Sequence, residues 1–344
     1  MTLPPPADVA VLIATYNRAT LLGDTLDVLA TVQPPDGRRW EVIVIDNNCT
    51  DNTRDVVMSR IAGFPVPLRY VFEQRQGRSA ALNAGFTATT APLLLYTDDD
   101  VHVAKGWLRA GAEALAAGWD YVGGPVSPMW EAPRPAWLHH TLYGTIAILD
   151  YGAEPFVFEE RRRVPLGANM GARRDLLERI GGFRADLGRS NGKKILGQEV
   201  PELLARARAA GARGRYLPAM HVDHHVPAAR LTKRYFRRWW FGKGVSKATF
   251  ELAQPLTELG LDLRRQPHVG PVPRFMIGNA VRDVIGYARA LASGRTSQRF
   301  HHEMMLAYFA GYLSSRWPRL SRPQYGSPVQ ANAGAVTAPA LPTT

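Results

Sequence analysis

The segment Pro92-Leu93-Leu94-Leu95-Tyr96-Thr97 runs directly into three consecutive aspartates, Asp98, Asp99 and Asp100. An unbroken apolar run of this length reads as a strand buried on both faces of a parallel sheet. Three carboxylates stacked at its carboxyl end are costly unless a cation or a hydrogen-bonding ligand meets them. Open α/β sheets bind their ligands at that edge. Hard carboxylate oxygens suit Mg²⁺ or Mn²⁺, and such a cation carrying a diphosphate would satisfy the charge. A solvated acidic turn is the plain alternative.

The chain before the triplet repeats one theme. Val9 to Ala14 is a short apolar strand, followed by Thr15-Tyr16-Asn17-Arg18 and a helical pattern through Leu21, Leu22, Leu26 and Leu29. Glu41 to Ile45 is a second strand, closing on Asp46-Asn47-Asn48, with Thr50 and Asp51 as N-cap candidates for a helix to about Ile61. Leu68 to Phe72 makes a third strand and Ser79 to Thr87 a third helix. Such alternation implies right-handed βαβ crossovers and a mostly parallel α/β sheet with helices on both faces. The polar clusters after each strand should gather along one edge, where a nucleotide would lie.

Four blocks then carry a resemblance. They are Val11 to Arg18, Val44 to Asp51, Gln76 to Gly85 and Thr97 to Val101, followed by Gly167-Ala168-Asn169-Met170-Gly171 and Ile180-Gly181-Gly182-Phe183. In this order they resemble the family 2 glycosyltransferases of GT-A fold, across about residues 8 to 225. The resemblance implies an inverting, metal-dependent transfer from a nucleotide-diphosphate sugar, with a UDP-sugar as the expected donor. The acceptor would be a hydroxyl of a glycan or of a lipid-linked molecule. The loop Ala14, Thr15, Tyr16, Asn17 and Arg18 would wrap the nucleoside, and Asp46 would accept from the base imide. Arg78 would approach the diphosphate, and Asp98 and Asp99 would contact ribose and metal. Asp100 is the expected direct ligand of Mn²⁺ or Mg²⁺, matching the last position of the family's DxD motif, with Asp98 beside it. Asp46 as a turn cap and Arg78 as a solvated helix residue are the plain alternatives.

An attacking hydroxyl must lose its proton, so a carboxylate within reach should act as general base. The family places an acidic pair at the start of a helix beyond the acceptor loop. The matching stretch here is Leu196 to Leu204, in which Gln198 replaces the first acid and Glu199 becomes the expected base. Glu202 is the alternative, or a first-turn acid complementing the helix dipole, and Pro201 suits the first turn. Further on, alternation in Met220 to Val226 puts His221, Asp223 and His225 on one side of an extended segment and His224 on the other. The resemblance implies that a late histidine, His224 or His225, completes the metal site, with His225 taken as the ligand. Ordinary polar loop histidines are the plain alternative, and a Zn²⁺ site is disfavoured by spacing and by the remoteness of Cys49.

One cysteine excludes intramolecular disulfides and suggests a reducing compartment. The start lacks a signal-peptide pattern, and no uncharged apolar run reaches the roughly 18 residues of a transmembrane helix. These features point to a cytoplasmic enzyme, free or peripheral on the inner face of the membrane. The expected division is a catalytic domain at 1–228 (about 8–125 for the nucleotide sugar and 126–228 for the acceptor), a basic helical region at 229–322 and a disordered tail at 323–344.

The net charge of +12 is uneven. Arg230 to Lys247 interleaves cations with aromatics, and read as a helix it puts Leu231, Tyr235, Phe236 and Trp239 on one stripe flanked by Lys233, Arg234, Arg237 and Arg238. That pattern suits an anionic membrane surface or a polyprenyl-phosphate acceptor; the alternative is a stripe packed internally. No nucleic-acid motif accompanies the charge. A nucleotidyltransferase, or a sugar-nucleotide- or lipid-binding protein without catalysis, are the competing functions.

Overall fold

The computed structural model describes residues 6–158, 163–185, 199–253 and 262–316. Gln198 and the tail expected from residue 323 onward lie outside the described residues.

The chain opens with β1 (Val9–Thr15), α1 (Ala19–Leu29), β2 (Trp40–Asp46), α2 (Thr53–Ile61), β3 (Leu68–Phe72), α3 (Arg78–Thr87) and β4 (Leu93–Asp98). The four strands are parallel in the order β3-β2-β1-β4. β1 and β2 are buried almost throughout because both sheet faces are covered. Val9, Val11 and Ile13 meet Leu22 and Leu26 on one side, while Ala10 and Leu12 meet Ala81 and Leu82 on the other. Each aliphatic side chain so buried contributes about 1.5–3 kcal/mol. The register pairs Thr15 with Asp46 and Ala14 with Asp98, so the polar residues after these strands share one edge.

Asp51 joins the first two helices. The second helix starts at Thr53, two residues after the expected cap, yet Asp51 still does the capping. Its Oδ1 accepts from Thr53 N (3.1 Å) and Thr53 Oγ1 (2.5 Å), and its Oδ2 from Ala19 N at the head of α1 (3.0 Å). One carboxylate thus serves two helix N-termini, where negative charge is favoured.

Beyond β4 come β5 (Val101–Val103), α4 (Trp107–Ala116), β6 (Tyr121–Gly123), β7 (Val126–Trp130), β8 (Phe156–Val157) and β9 (Asn169–Arg173). α5 (Arg174–Ile180), α6 (Glu199–Ala209), β10 (Gly214–Tyr216) and β11 (Val222–Val226) follow. β9 lies antiparallel to both β4 and β6, extending the sheet to eight strands in the order β3-β2-β1-β4-β9-β6-β10-β8. β5, β11 and β7 form a second, three-stranded sheet.

The C-terminal region is helical: α7 (Lys233–Ala253), α8 (Arg274–Ala292) and α9 (Thr296–Arg316). α7 and α9 approach closely through two glycines. A Cβ on Gly244 would overlap the Tyr308 carbonyl, and one on Gly311 the Phe241 carbonyl. The basic aromatic segment supplies much of this packing. Leu231 and Phe236 are buried with Leu138, Leu142 and Phe300, and Tyr235 and Trp240 pack against that cluster. Arg237 and Arg238 are exposed, but Trp239 and Trp240 are half-buried. Arg237 binds Glu303 of α9 at 2.6 Å. The aromatic stripe therefore serves the interior of this unit rather than lying wholly open.

Gly244→Ala should destabilise the protein by about 1–3 kcal/mol, because the obstructing atoms are backbone and the helices must move apart. Gly278→Ala on α8, where a Cβ meets nothing, should stabilise it by about 0.5–1 kcal/mol. Thermal melts of the two variants check the contrast; an unchanged melt for Gly244→Ala would contradict the close approach.

Candidate active site

Three loops meet at the carboxyl edge of β1 to β4. Asn17 (φ 52°) and Asn48 (φ 63°) take left-handed backbone conformations, which asparagine tolerates better than most residues. Asn17 Oδ1 accepts from Thr50 N at 2.7 Å. Asn47 ties in the third loop: its Nδ2 donates to the Glu73 and Arg75 carbonyls, and its Oδ1 accepts from Gly77 N at 2.8 Å. Gly77 has φ 141°, a conformation L side chains rarely adopt, and it aims the first residue of α3, Arg78, back at the sheet edge. Asp46 is buried, with Oδ1 accepting from Cys49 N (2.7 Å) and Oδ2 from the Tyr70 hydroxyl (2.6 Å). Asp46 is thus a turn cap.

The acidic triplet is met first by the chain's own arginines. Arg78 Nη2 binds Asp98 Oδ1 at 2.6 Å and the Gly167 carbonyl at 3.0 Å. A Cβ at Gly167 would press on that guanidinium, so the glycine leaves it room. Arg18 Nη1 bridges Asp99 Oδ1 (2.9 Å) and Asp100 Oδ2 (2.7 Å), and Thr15 Oγ1 donates to Asp99 Oδ2 at 2.7 Å. Burial works against the charge of Asp98, but Arg78 outweighs it and holds this carboxyl below its usual range. Burial dominates at Asp99, which is pushed up to about 6 with Asp100 adding to the rise and Arg18 opposing it. Asp100 is also raised, by burial and then by Asp98.

His224 faces Asp100 across the second sheet, its Nε2 3.4 Å from Asp100 Oδ1. Burial pushes this imidazole down to about 4, helped by Arg230 and Arg18 and opposed by Asp98. It is therefore neutral near pH 7, and the contact is not an ion pair. Asp100 Oδ1 is buried without a hydrogen-bond partner. The carboxylate oxygen suits Mn²⁺ or Mg²⁺, and the neutral imidazole facing it is a donor better matched to the transition ion Mn²⁺ than to Mg²⁺. The expected ligand His225 instead turns its Nε2 toward Glu131, 3.9 Å away, because successive residues of β11 point to opposite faces. Asp98, also expected among the ligands, is engaged by Arg78.

The two carboxylates at the start of α6 differ sharply. Glu199 Oε1 lies 3.5 Å from Arg78 Nη1, and its Oε2 is buried without a partner. Both oxygens of Glu202 are taken by Arg206 at 2.7 Å, and Arg184 lies 3.9 Å away. Arg206 also donates to the Ile180 and Gly182 carbonyls. Glu202 is thus a buried structural pair, whereas Glu199 has an oxygen to offer.

The structure brings Thr15, Arg18, Arg78, Asp98, Asp99, Asp100, His224 and Glu199 into one connected network. Sequence reasoning missed two parts of it. The arginines appear there as donor contacts, not as the counterions of the triplet. Asn169 goes unrecognised as a rivet: its Oδ1 accepts from Trp107 Nε1 (2.8 Å) while its Nδ2 donates to the Pro125 and Met220 carbonyls. An amide as the first residue of a buried strand was the available signal.

Residues 10–181 match the family model described as Glycosyl transferase family 2. The chain is similar to the glucosyl-dolichyl phosphate glucuronosyltransferase of Haloferax volcanii, 25% identical over 254 residues that cover 72% of this chain and 78% of that protein. It is also similar to succinoglycan biosynthesis protein ExoM of Rhizobium meliloti, 28% identical over 233 residues, 65% of this chain and 71% of that one. Among solved structures, the mannosyltransferase PcManGT from Pyrobaculum calidifontis, in complex with GDP-Man and Mn²⁺, shares the fold. Its TM-score is 0.57 over 92% of this chain and 88% of that one, at 21% identity.

Glu202→Gln should cost about 3 kcal/mol, since it leaves the Arg206 charge buried and half-met. Thermal unfolding checks this; a melt like the wild type's would show that the pair is not structural. Cys49, half-buried beside the first loop, has its thiol pushed up to about 11, chiefly by burial. A raised value leaves thiolate scarce at neutral pH, so iodoacetamide labelling of this single thiol should be slow. Its rate should still climb about tenfold per pH unit between about pH 8 and 10, where an ordinary cysteine levels off. A plateau near pH 9 would contradict the burial of that loop.

Proposed function

This chain belongs to glycosyl transferase family 2, and on that premise we propose that it transfers a sugar with inversion from a nucleotide-diphosphate sugar, a UDP-sugar first among donors, to a hydroxyl of a glycan or lipid-linked acceptor. Membership in this family sets aside the nucleotidyltransferase alternative. The observation that carries the proposal is the unpartnered, buried Asp100 Oδ1 facing neutral His224, on the same acidic turn whose first residue, Asp98, binds the arginine that also meets Glu199.

In this reading the loop Ala14 to Arg18 and Asp46 hold the nucleoside. Tyr70 and Cys49 N fix the orientation of the Asp46 carboxylate, which would accept from the base imide. Asp100 and His224 would hold Mn²⁺ or Mg²⁺, which when bound stabilises the negative charge that develops on the leaving diphosphate. A divalent cation also relieves the raised Asp99 and Asp100, which are costly to ionise next to each other. Arg18 and Arg78 then have a second anion, the diphosphate, within their field. Glu199 Oε2 takes the proton of the attacking hydroxyl, and Arg78 positions it through Oε1. The glycan or lipid-linked acceptor draws support from the relatives' own descriptions, one a glucosyl-dolichyl phosphate transferase and one a protein of succinoglycan biosynthesis.

The test is donor hydrolysis and transfer across a panel of sugar nucleotides, with Mn²⁺ or Mg²⁺ added. Asp100→Asn should abolish metal-dependent nucleotide binding, measured by calorimetry, with an unchanged melt. Glu199→Gln should keep donor binding while turnover falls by about 10²–10⁴. Full turnover by either variant would overturn the role given to that residue.

A further inference from the structure

Large apolar side chains are exposed in one place more than any other. Phe275, Val281, Val284, Ile285 and Leu291 all lie on α8, and no other helix carries more than two exposed large apolar residues among those described. Val281, Val284, Ile285 and Leu291 are 53, 54, 46 and 53% exposed. With exposed Ala288 they recur at three- and four-residue steps, so they form one continuous stripe along a helix of 19 residues, about 28 Å long. The opposite side is the packed one. Met276 and Ala290 are buried, and a Cβ at Gly286 would collide with the His302 ring of α9.

The charge around the stripe has one sign. Arg274, Arg282 and Arg289 are exposed, and the only acid on α8, Asp283, is turned inward, its Oδ1 2.9 Å from His302 Nδ1. Arg295 and Arg299 continue the basic rim into the next helix. We infer that α8 is an interfacial helix that lays this stripe on an anionic lipid bilayer. An apolar face whose exposed charges on α8 are all arginines is complementary to acyl chains bordered by lipid phosphates. It is poorly matched to a second copy of itself, because a two-fold pairing would set arginine against arginine with no carboxylate between. The helix lies on the bilayer rather than through it: no helix among the described residues is long and apolar enough to cross one. The inference goes beyond the transferase reading and needs neither its donor nor its base.

The test is flotation of the full-length protein with phosphatidylcholine vesicles, with and without phosphatidylglycerol. The wild type should float with the anionic vesicles, less so at high salt. Val281→Glu with Ile285→Glu should cut the bound fraction at least about tenfold. Arg282→Gln with Arg289→Gln should cut it roughly tenfold or more and flatten the salt dependence. Arg237→Gln with Arg238→Gln on α7 should change it little. Val281, Arg282, Ile285 and Arg289 are exposed, so the melts of the α8 variants should match the wild type's, and metal-dependent donor hydrolysis should be retained. A wild type that does not float, or a doubly acidic variant that floats as well as the wild type, overturns the inference. So does a dimer by light scattering that the acidic variant makes monomeric, which would assign the stripe to a second copy. Loss of hydrolysis activity in the wild type would count against the transferase reading alone.

Discussion

Two arginines make the acidic edge of this sheet possible. β4 is driven inward by its leucines, and the turn that follows is carried into the protein with three carboxylates on it. Unpaired, such a turn would be resisted by both desolvation and mutual repulsion. Arg18 and Arg78 meet it from two sides, and each stands at the head of a helix: Arg18 just before α1, Arg78 as the first residue of α3. The placement of those helices, and through them the crossovers of the nucleotide half, is therefore tied to the same charges that give the edge its chemistry. The compensation is uneven, holding Asp98 down and leaving Asp99 and Asp100 raised. That residue of unfavourable charge is what a bound cation would relieve.

The parallel half of the fold was legible because its strands are continuous aliphatic runs separated by polar turns, a pattern fixed by burial on both faces. The family's motifs follow those strands, so the residues they name fall along one edge for the same reason. Long-range pairing was not legible. Arg18 and Asp99 are 81 residues apart, and nothing in their local sequence says they touch. His224 and His225 alternate as extended residues must, but which of them faces inward depends on β5, three residues long, pairing antiparallel with β11. The basic aromatic segment gave an amphipathic reading that fits a membrane surface or internal packing equally well. What decided for packing is α9, which reaches it across Gly244 and Gly311, and glycines in a helix carry no signal of what they approach.

The C-terminal helices are anchored to the catalytic half by a shared core. Leu138, Leu142 and Ile146, which precede the antiparallel strand β9, pack with Phe236, Phe300 and Met304 of α7 and α9. α7 is held on that side and α9 lies over it, which leaves α8 outermost. The basic character of the region is thus split: on α7 the cations border aromatic packing, with Lys233 and Arg237 over the Phe300 ring, while on α8 they border bare aliphatic surface.

The reversal of one strand also divides the molecule's labour. Thr97, next to the acidic turn at the end of β4, is paired with Asn169, at the start of the antiparallel β9. The chain before Asn169 therefore arrives at the catalytic edge from outside the βαβ repeat, and the three side-chain hydrogen bonds of Asn169 pin it there. The stretch from β7 to that pin sends Leu138, Leu142 and Ile146 into the shared core and passes Gly167 under Arg78, so its buried positions are fixed and only its exposed ones are free to vary. An architecture of this kind lets the exposed part of one stretch of chain diverge while the parallel half beside it is kept intact.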